Sequence, residues 1–320
     1  MAGLELRRYA TERVADVLEV YNRGVAGLPY CCTLDAQYFL DFIVPRFFFV
    51  DDGLIIAYRQ GRPVGYVHST FAPSADRQDV QRETGTIAAL FFPPDEPEVG
   101  AALVAAAERW LAGEGARRVI GWGSGASGYP FYRGLLSGLE PLLVEDSRAA
   151  LAVFRAAGYV PYVQSYLSVA DFQVPFLEPS SAVPVSATIR PRSFETRWDV
   201  DAWRGHQPME CRTLLDRADA DGTNADGADA GRLLFAALPR LSQQTGTGIG
   251  GIAGLAVPAP LRRRGIAALM MARSLNWLYE AGVRRCLVVH HRNNAAAAAT
   301  YAKFGFRPAA LMVGLERALT

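Results

Sequence analysis

Two stretches of this 320-residue chain echo each other at a constant offset of 167 positions: WLAGEGARRVI (residues 110–120) and WLYEAGVRRCL (residues 277–287). Each places Trp-Leu, then a glycine, then Arg-Arg, the pattern of a helix end, a glycine stop and the start of a strand. A second echo lies near the end of each half: SRAALAVFRAAGY (residues 147–159) follows the internal spacing of NAAAAATYAKFGF (residues 294–306), with Ala150, Phe154, Gly158 and Tyr159 standing where Ala297, Tyr301, Gly305 and Phe306 stand later. A repeat of that length is a domain. The chain therefore reads as two successive copies of one unit, each large enough to bury its own core.

Charge narrows the partners. With 33 basic against 32 acidic residues the net charge is +1, which gives no global reason to expect nucleic acid or an anionic membrane. The opening residues MAGLELRRYATERV have no long apolar core, and no apolar run approaches the roughly 20 residues of a membrane span, so a cytoplasmic protein is expected. Cys31, Cys32, Cys211 and Cys286 have neither disulfide-framework nor CxxC metal spacing and read as small apolar residues. Around residues 216–231, Asp219-x-Asp221 opens like a calcium loop, but the glycine is misplaced and no Glu closes it. No metal is expected there, only a polar hairpin tip.

Periodicity places the elements. Residues 4–8 read as a strand and 14–25 as an amphipathic helix; 53–58 and 63–71 form a hairpin about Gln60-Gly61-Arg62; 84–92 is the next strand and 100–112 the next helix. Residues 171–186, rich in Pro and Ser, lack periodicity and read as a linker. After it come a strand at 187–192, a hairpin of 209–217 and 233–238, a strand at 252–257, a helix at 265–281, a strand at 285–291 and a helix ending at Gly305.

The chemistry concentrates at VPAPLRRRGIAALMM (residues 257–271). Pro258 and Pro260 end a strand, and Ile266, Leu269, Met270 and Leu275 start an apolar helical stripe. Three arginines and a glycine lie between. A helix N-terminus leaves backbone N–H groups unpaired at the positive end of the helix dipole, which suits a phosphate, and Gly265 allows close approach.

Within that stretch RRRGIA (residues 262–267) resembles the (Gln/Arg)-x-x-Gly-x-(Gly/Ala) pyrophosphate loop of the GNAT superfamily of acyl-CoA N-acyltransferases. Asn294, Ala297, Tyr301, Gly305 and Phe306 resemble its second signature, in order and at the expected separation. The resemblance implies an α/β fold: two tandem GNAT domains, each a mixed, mostly antiparallel twisted sheet flanked by helices. The domains would be a degenerate one at 1–172, a linker at 173–186 and a catalytic one at 187–320. It also implies acetyl-CoA as acyl donor, a small-molecule or peptide amine as acceptor, and a monomer or homodimer. Tandem architecture with one competent half further resembles mycothiol synthase in layout, although no substrate signature accompanies the likeness.

Residue roles follow from the same resemblance. The backbone of Arg262, Arg263, Arg264, Gly265, Ile266 and Ala267 would take the pyrophosphate. Leu255 and Val257 would pair with the pantetheine arm as with an added strand, and Asn294 would contact the cofactor or cap its helix. Tyr301 would give a proton to the departing thiolate. Residues 247–257 contain no acid to serve as general base, so the base is sought at His291, with Glu210 as runner-up and a substrate-contacting histidine as the plainer alternative. A non-catalytic acyl-CoA-binding or regulatory protein is the rival reading. In the first half, PPDEPEVGAA (residues 93–102) puts Pro97 where Arg262 stands and adds three acids. Phe154 replaces the tyrosine, and the helix after Gly100 reads two residues shorter than its counterpart. That half is expected to be structural, with residues 123–135 walling an acceptor site.

Overall fold

The computed structural model describes residues 3–122, 131–141, 143–144, 147–216 and 228–319. In chain order its elements are β1 (Leu4–Arg8), α1 (Val14–Val25), α2 (Ala36–Tyr38), β2 (Leu54–Arg59), β3 (Arg62–Pro73), β4 (Val80–Phe91), α3 (Pro97–Gly113), β5 (Arg118–Gly121), β6 (Leu143–Val144), α4 (Arg148–Ala156) and β7 (Val160–Asp171). Then follow β8 (Val185–Pro191), α5 (Arg197–Ala202), β9 (Met209–Leu215), β10 (Asp229–Ala237), α6 (Pro239–Thr245), β11 (Ile249–Ala256), α7 (Ile266–Glu280), β12 (Arg285–His291), α8 (Ala295–Ala302) and β13 (Arg307–Ala318).

Two compact units result. Unit 1 comprises Met1–Ser165, Phe194–Gly205 and Ala310–Thr320; unit 2 comprises Tyr166–Ser193 and His206–Ala309. The boundary is therefore not the one expected from the linker. Three interactions within unit 1 draw later residues into it: β13 pairs antiparallel with β5, Leu315 opposite Gly121. Trp198 of α5, fully buried, lies against Phe48 with ring centroids 4.2 Å apart. Asp199 accepts two hydrogen bonds from Arg77, at 2.7 and 3.0 Å.

In unit 1, β1 to β4 run antiparallel and β4 pairs parallel with β5. A parallel pair needs a long crossover, and α3 supplies it. The β2–β3 hairpin turns at Gln60 and Gly61, both at positive φ (52° and 77°), as a two-residue hairpin with the native twist requires. In unit 2, β8 to β11 run antiparallel, β11 pairs parallel with β12 through α7, and β7 lies beside β12. Its core joins Ile266, Met270, Leu275 and Leu278 of α7 to Cys211, Leu233, Phe235, Val288 and Tyr301.

Some expectations need correction. The helix expected at 100–112 begins at Pro97, which suits the first helical position because its missing N–H would have no partner there. Consequently α3, with 17 residues, is longer than α7, with 15. The segment expected to be a linker is bound along α7: Tyr279 donates to the Gln173 carbonyl (3.1 Å), Asn276 exchanges two hydrogen bonds with the Phe176 backbone (2.7 and 2.9 Å), and Arg273 pairs with Glu178 (2.9 Å). Residues 123–130, part of the suggested acceptor wall, and 217–227, holding the Asp219-x-Asp221 motif, lie outside the described residues. Among the described residues no helix is long and apolar enough to cross a membrane.

Candidate acyl-CoA site

The parallel strands β11 and β12 are paired only from Ile249–Arg285 to Ile252–Val288. At that point β11 carries a bulge: Leu234 and Phe235 of β10 face Gly254 and Ile252, leaving Ala253 over. An extra residue bends a strand and increases its twist. Residues 253–256 and 289–291 thus run on unpaired with one another and open a wedge in the sheet. Gly254 is exposed, with nothing within 4 Å of where a Cβ would stand, so backbone can be approached there. Leu255 is half-buried against the core and Val257 is half-buried at the strand end.

Below the wedge, a nine-residue connection (257–265) leads into α7. Arg263 and Gly265 both adopt positive φ, 59° and 87°. This curls the chain so that α7 starts without a side-chain cap, and its first backbone bond runs from the Leu269 N–H to the Gly265 carbonyl (3.0 Å). The N–H groups of Ile266, Ala267 and Ala268 are the orphan donors of that end. Ile266 is buried and Ala267 half-exposed. Arg262, Arg263 and Arg264 are all exposed, and Arg262 donates to the Val257 carbonyl at 3.1 Å. Three guanidiniums beside unsatisfied amide donors at a helix start form an arrangement that fits a pyrophosphate.

Tyr301, on α8, is 6% exposed. Its ring sits between His290 and Phe306, with centroids at 5.5 and 5.8 Å. Asn294 caps the helix, accepting from the Ala297 N–H at 3.0 Å. Of the paired histidines, His290 is buried and its Nε2 lies 3.1 Å from Ser168 Oγ on β7. Burial lowers its pKa, opposed by its contact with the His291 carbonyl. His291 is exposed, and its Nδ1 accepts from the Asn293 N–H at 3.3 Å. The two thus face opposite sides, as strand alternation requires, and it is His290 that meets Tyr301.

Glu210, by contrast, is buried on β9 with both oxygens engaged, Oε2 by Arg190 at 3.1 Å and Oε1 by Arg192 at 3.4 Å. Both oxygens are thus taken up by guanidiniums, so geometry does not favour it as base. The cysteines are buried, and burial raises the thiol pKa of Cys31, Cys211 and Cys286, which leaves them inert. Among the described residues no group of three His, Cys, Asp or Glu is placed to hold a metal. Sequence reasoning missed Ser168, which is 122 positions from His290, and the contact of residues 180–182 with the arginine loop.

A bulged wedge between parallel strands above an uncapped, arginine-flanked helix start is an arrangement that suits an extended ligand carrying a phosphate. Residues 191–306, about a third of the chain, match the Acetyltransferase (GNAT) family. Solved structures share the fold over the whole chain. A tandem GNAT protein from the clavulanic acid biosynthesis pathway, solved without AcCoA, is 15% identical with TM-score 0.67, covering 99% of this chain and 98% of its own. A GCN5-related N-acetyltransferase from Sphaerobacter thermophilus is 15% identical with TM-score 0.62, covering 98% and 95%. The GCN5-related glucosamine N-acetyltransferase region of a fungal multi-domain GH3 beta-N-acetylglucosaminidase is 16% identical with TM-score 0.70, covering 99% of this chain and 38% of that one. No curated protein sequence matches the chain.

Proposed function

We propose that unit 2 transfers an acetyl group from acetyl-CoA directly to a primary amine. The observation that carries this is the wedge of residues 253–256 and 289–291 opening above the uncapped start of α7. Pyrophosphate is held by the N–H groups of residues 263–267 and the arginines, and the pantetheine arm pairs with β11 near Leu255 and Val257. Val257 presents its carbonyl once Arg262 turns to the phosphate.

The neutral amine attacks the thioester carbonyl; the C–N bond forms, the C–S bond breaks, and the thiolate takes a proton from the Tyr301 hydroxyl. A phenol held between two rings is protonated at neutral pH and already oriented. The amine proton goes to His291. It is exposed, hence within reach of an acceptor, and its long contact with Asn293 leaves the imidazole able to accept. His290, buried and bonded to Ser168, packs Tyr301 in place. Acetyl-CoA consumption by the full chain across an amine library tests the proposal, with thiol release dependent on one amine class as the expected result.

A second reading, a protein that binds acyl-CoA without turnover, draws on the acid-free β11 and on the engaged carboxylate of Glu210. Tight CoA binding with no thiol release against any amine would favour it.

A further inference from the structure

The segment between β7 and β8 ends on the arginine loop. The Ala182 N–H and the Ser181 hydroxyl both donate to the Arg264 carbonyl, at 2.8 and 3.0 Å. The Ser180 carbonyl passes so close to Gly265 that a Cβ there would stand 2.9 Å from its oxygen. Upstream, the segment is fixed at successive turns of α7 through Glu178, Phe176 and Gln173, and the Phe176 ring packs on Phe172 and Phe304 with centroids at 5.5 and 5.4 Å. This is a strap bound at one end to the core and at the other to the loop.

Its chemical consequence follows from peptide geometry. The Arg264–Gly265 peptide bond is trans, so the Arg264 carbonyl and the Gly265 N–H point in opposite directions. Two donors fastened to that carbonyl therefore fix the peptide plane and leave the Gly265 N–H directed away from Ser181 and Ala182. Gly265 thereby has a double need for glycine: its φ of 87° and the close passage of Ser180.

We propose that the strap is a clamp for the pyrophosphate loop, with Ser181 as a positioning residue that sets acyl-CoA affinity without touching the ligand. This rests on the acyl-CoA reading of the same loop. Loss of one hydrogen bond of this kind weakens the held conformation about three- to tenfold.

The full chain carrying Ser181→Ala, and separately Ser181→Thr, tests it. Calorimetry with CoA is compared with steady-state kinetics on acetyl-CoA and on acetyl-pantetheine, which has the thioester arm and no pyrophosphate. Ser181→Ala is expected to raise the CoA Kd and the acetyl-CoA KM together, leave kcat and the acetyl-pantetheine KM unchanged, and keep the melting temperature; Ser181→Thr restores affinity. Unchanged CoA affinity in Ser181→Ala overturns the clamp, as does an equal loss toward both donors. A wild-type chain that binds no CoA instead overturns the reading beneath it.

Discussion

Units 1 and 2 bend their sheets at the same place and then do opposite things with the gap. In unit 1 the parallel pairing of β4 with β5 runs from Thr84–Arg118 to Ile87–Gly121, and Ala88 is the bulged residue; in unit 2 it runs from Ile249–Arg285 to Ile252–Val288, and Ala253 is bulged. Past that point unit 1 has Phe91 and Trp122, both buried, with rings 5.9 Å apart. The corresponding residues of unit 2 are Ala256, exposed, and Val289, half-buried. One wedge is plugged by aromatic rings, and the other stays open.

The helix starts diverge in the same sense. Five residues (92–96) join β4 to α3, against the nine before α7. At α3, Arg59 pairs with Glu96 and, at 3.1 Å, with Glu98, and the two carboxylates already answer the helix dipole. Gly100, the supposed counterpart of Gly265, is inside the helix, where a Cβ would meet the Phe92 ring at 2.7 Å. Where unit 2 has Tyr301, Phe154 is fully buried against Tyr159, centroids 5.0 Å apart. The difference teaches that one recurring bend can be filled with aromatic rings or left open, and only the open one leaves room for the acyl-CoA proposed above.

Importing a feature of unit 1 into unit 2 should close that site. Ala267→Glu copies the carboxylate of Glu98 at the second helical position; a charge about 6 Å from a phosphate should cost binding more than about a hundredfold. The melting temperature should hold or rise slightly, since an acid at a helix start is stabilising. Calorimetry with CoA reads the first and thermal unfolding the second; undiminished affinity would detach the loop from pyrophosphate binding.

Tyr301→Phe copies Phe154. Because general acid catalysis contributes about a hundred- to ten-thousand-fold, kcat should fall at least about tenfold while the CoA Kd stays put. An unchanged kcat would make the tyrosine structural, as its phenylalanine counterpart is. A smaller effect is expected at the proposed base: His291→Gln should lower kcat/KM about tenfold, whereas His290→Gln should change it less. The reverse outcome would move the base to the buried histidine.

The last contrast is one of acid stability. Burial pushes the His68 pKa in unit 1 down to about 3, with Nδ1 2.9 Å from the Tyr132 hydroxyl. A histidine held below its unfolded value of about 6.5 takes up its proton only on unfolding, so stability falls as pH drops from there toward the folded pKa, by about 2 kcal/mol at pH 5. His290 has the same sign. Melting temperatures between about pH 7.5 and pH 5 should fall, and the slope should flatten in His68→Gln; an unaltered slope would assign the acid sensitivity elsewhere.

Much of this was legible in the sequence where the signal is local. The bounds of β1, α1 and β12 follow from periodicity alone, and the Gln60-Gly61 turn from its residues. The arginine loop and Tyr301 stand out in the sequence by motif. What stayed hidden depends on distant partners. That β13 completes unit 1 is decided by its pairing with β5, and nothing in its own residues names that neighbour. The strap has no period because its order comes from Tyr279, Asn276 and Arg273 of α7 rather than from itself. Which of His290 and His291 is buried was likewise hidden, because alternation divides the two between faces but cannot say which face is covered.

Because unit 1 needs residues 194–205 and 310–320, its binding capacity is best measured in the intact chain. Calorimetric titration of the full chain with CoA should give one site per chain, abolished by Ala267→Glu. Two sites of similar affinity, or one that survives Ala267→Glu, would contradict the claim that the filled wedge is a scaffold and the open one the site.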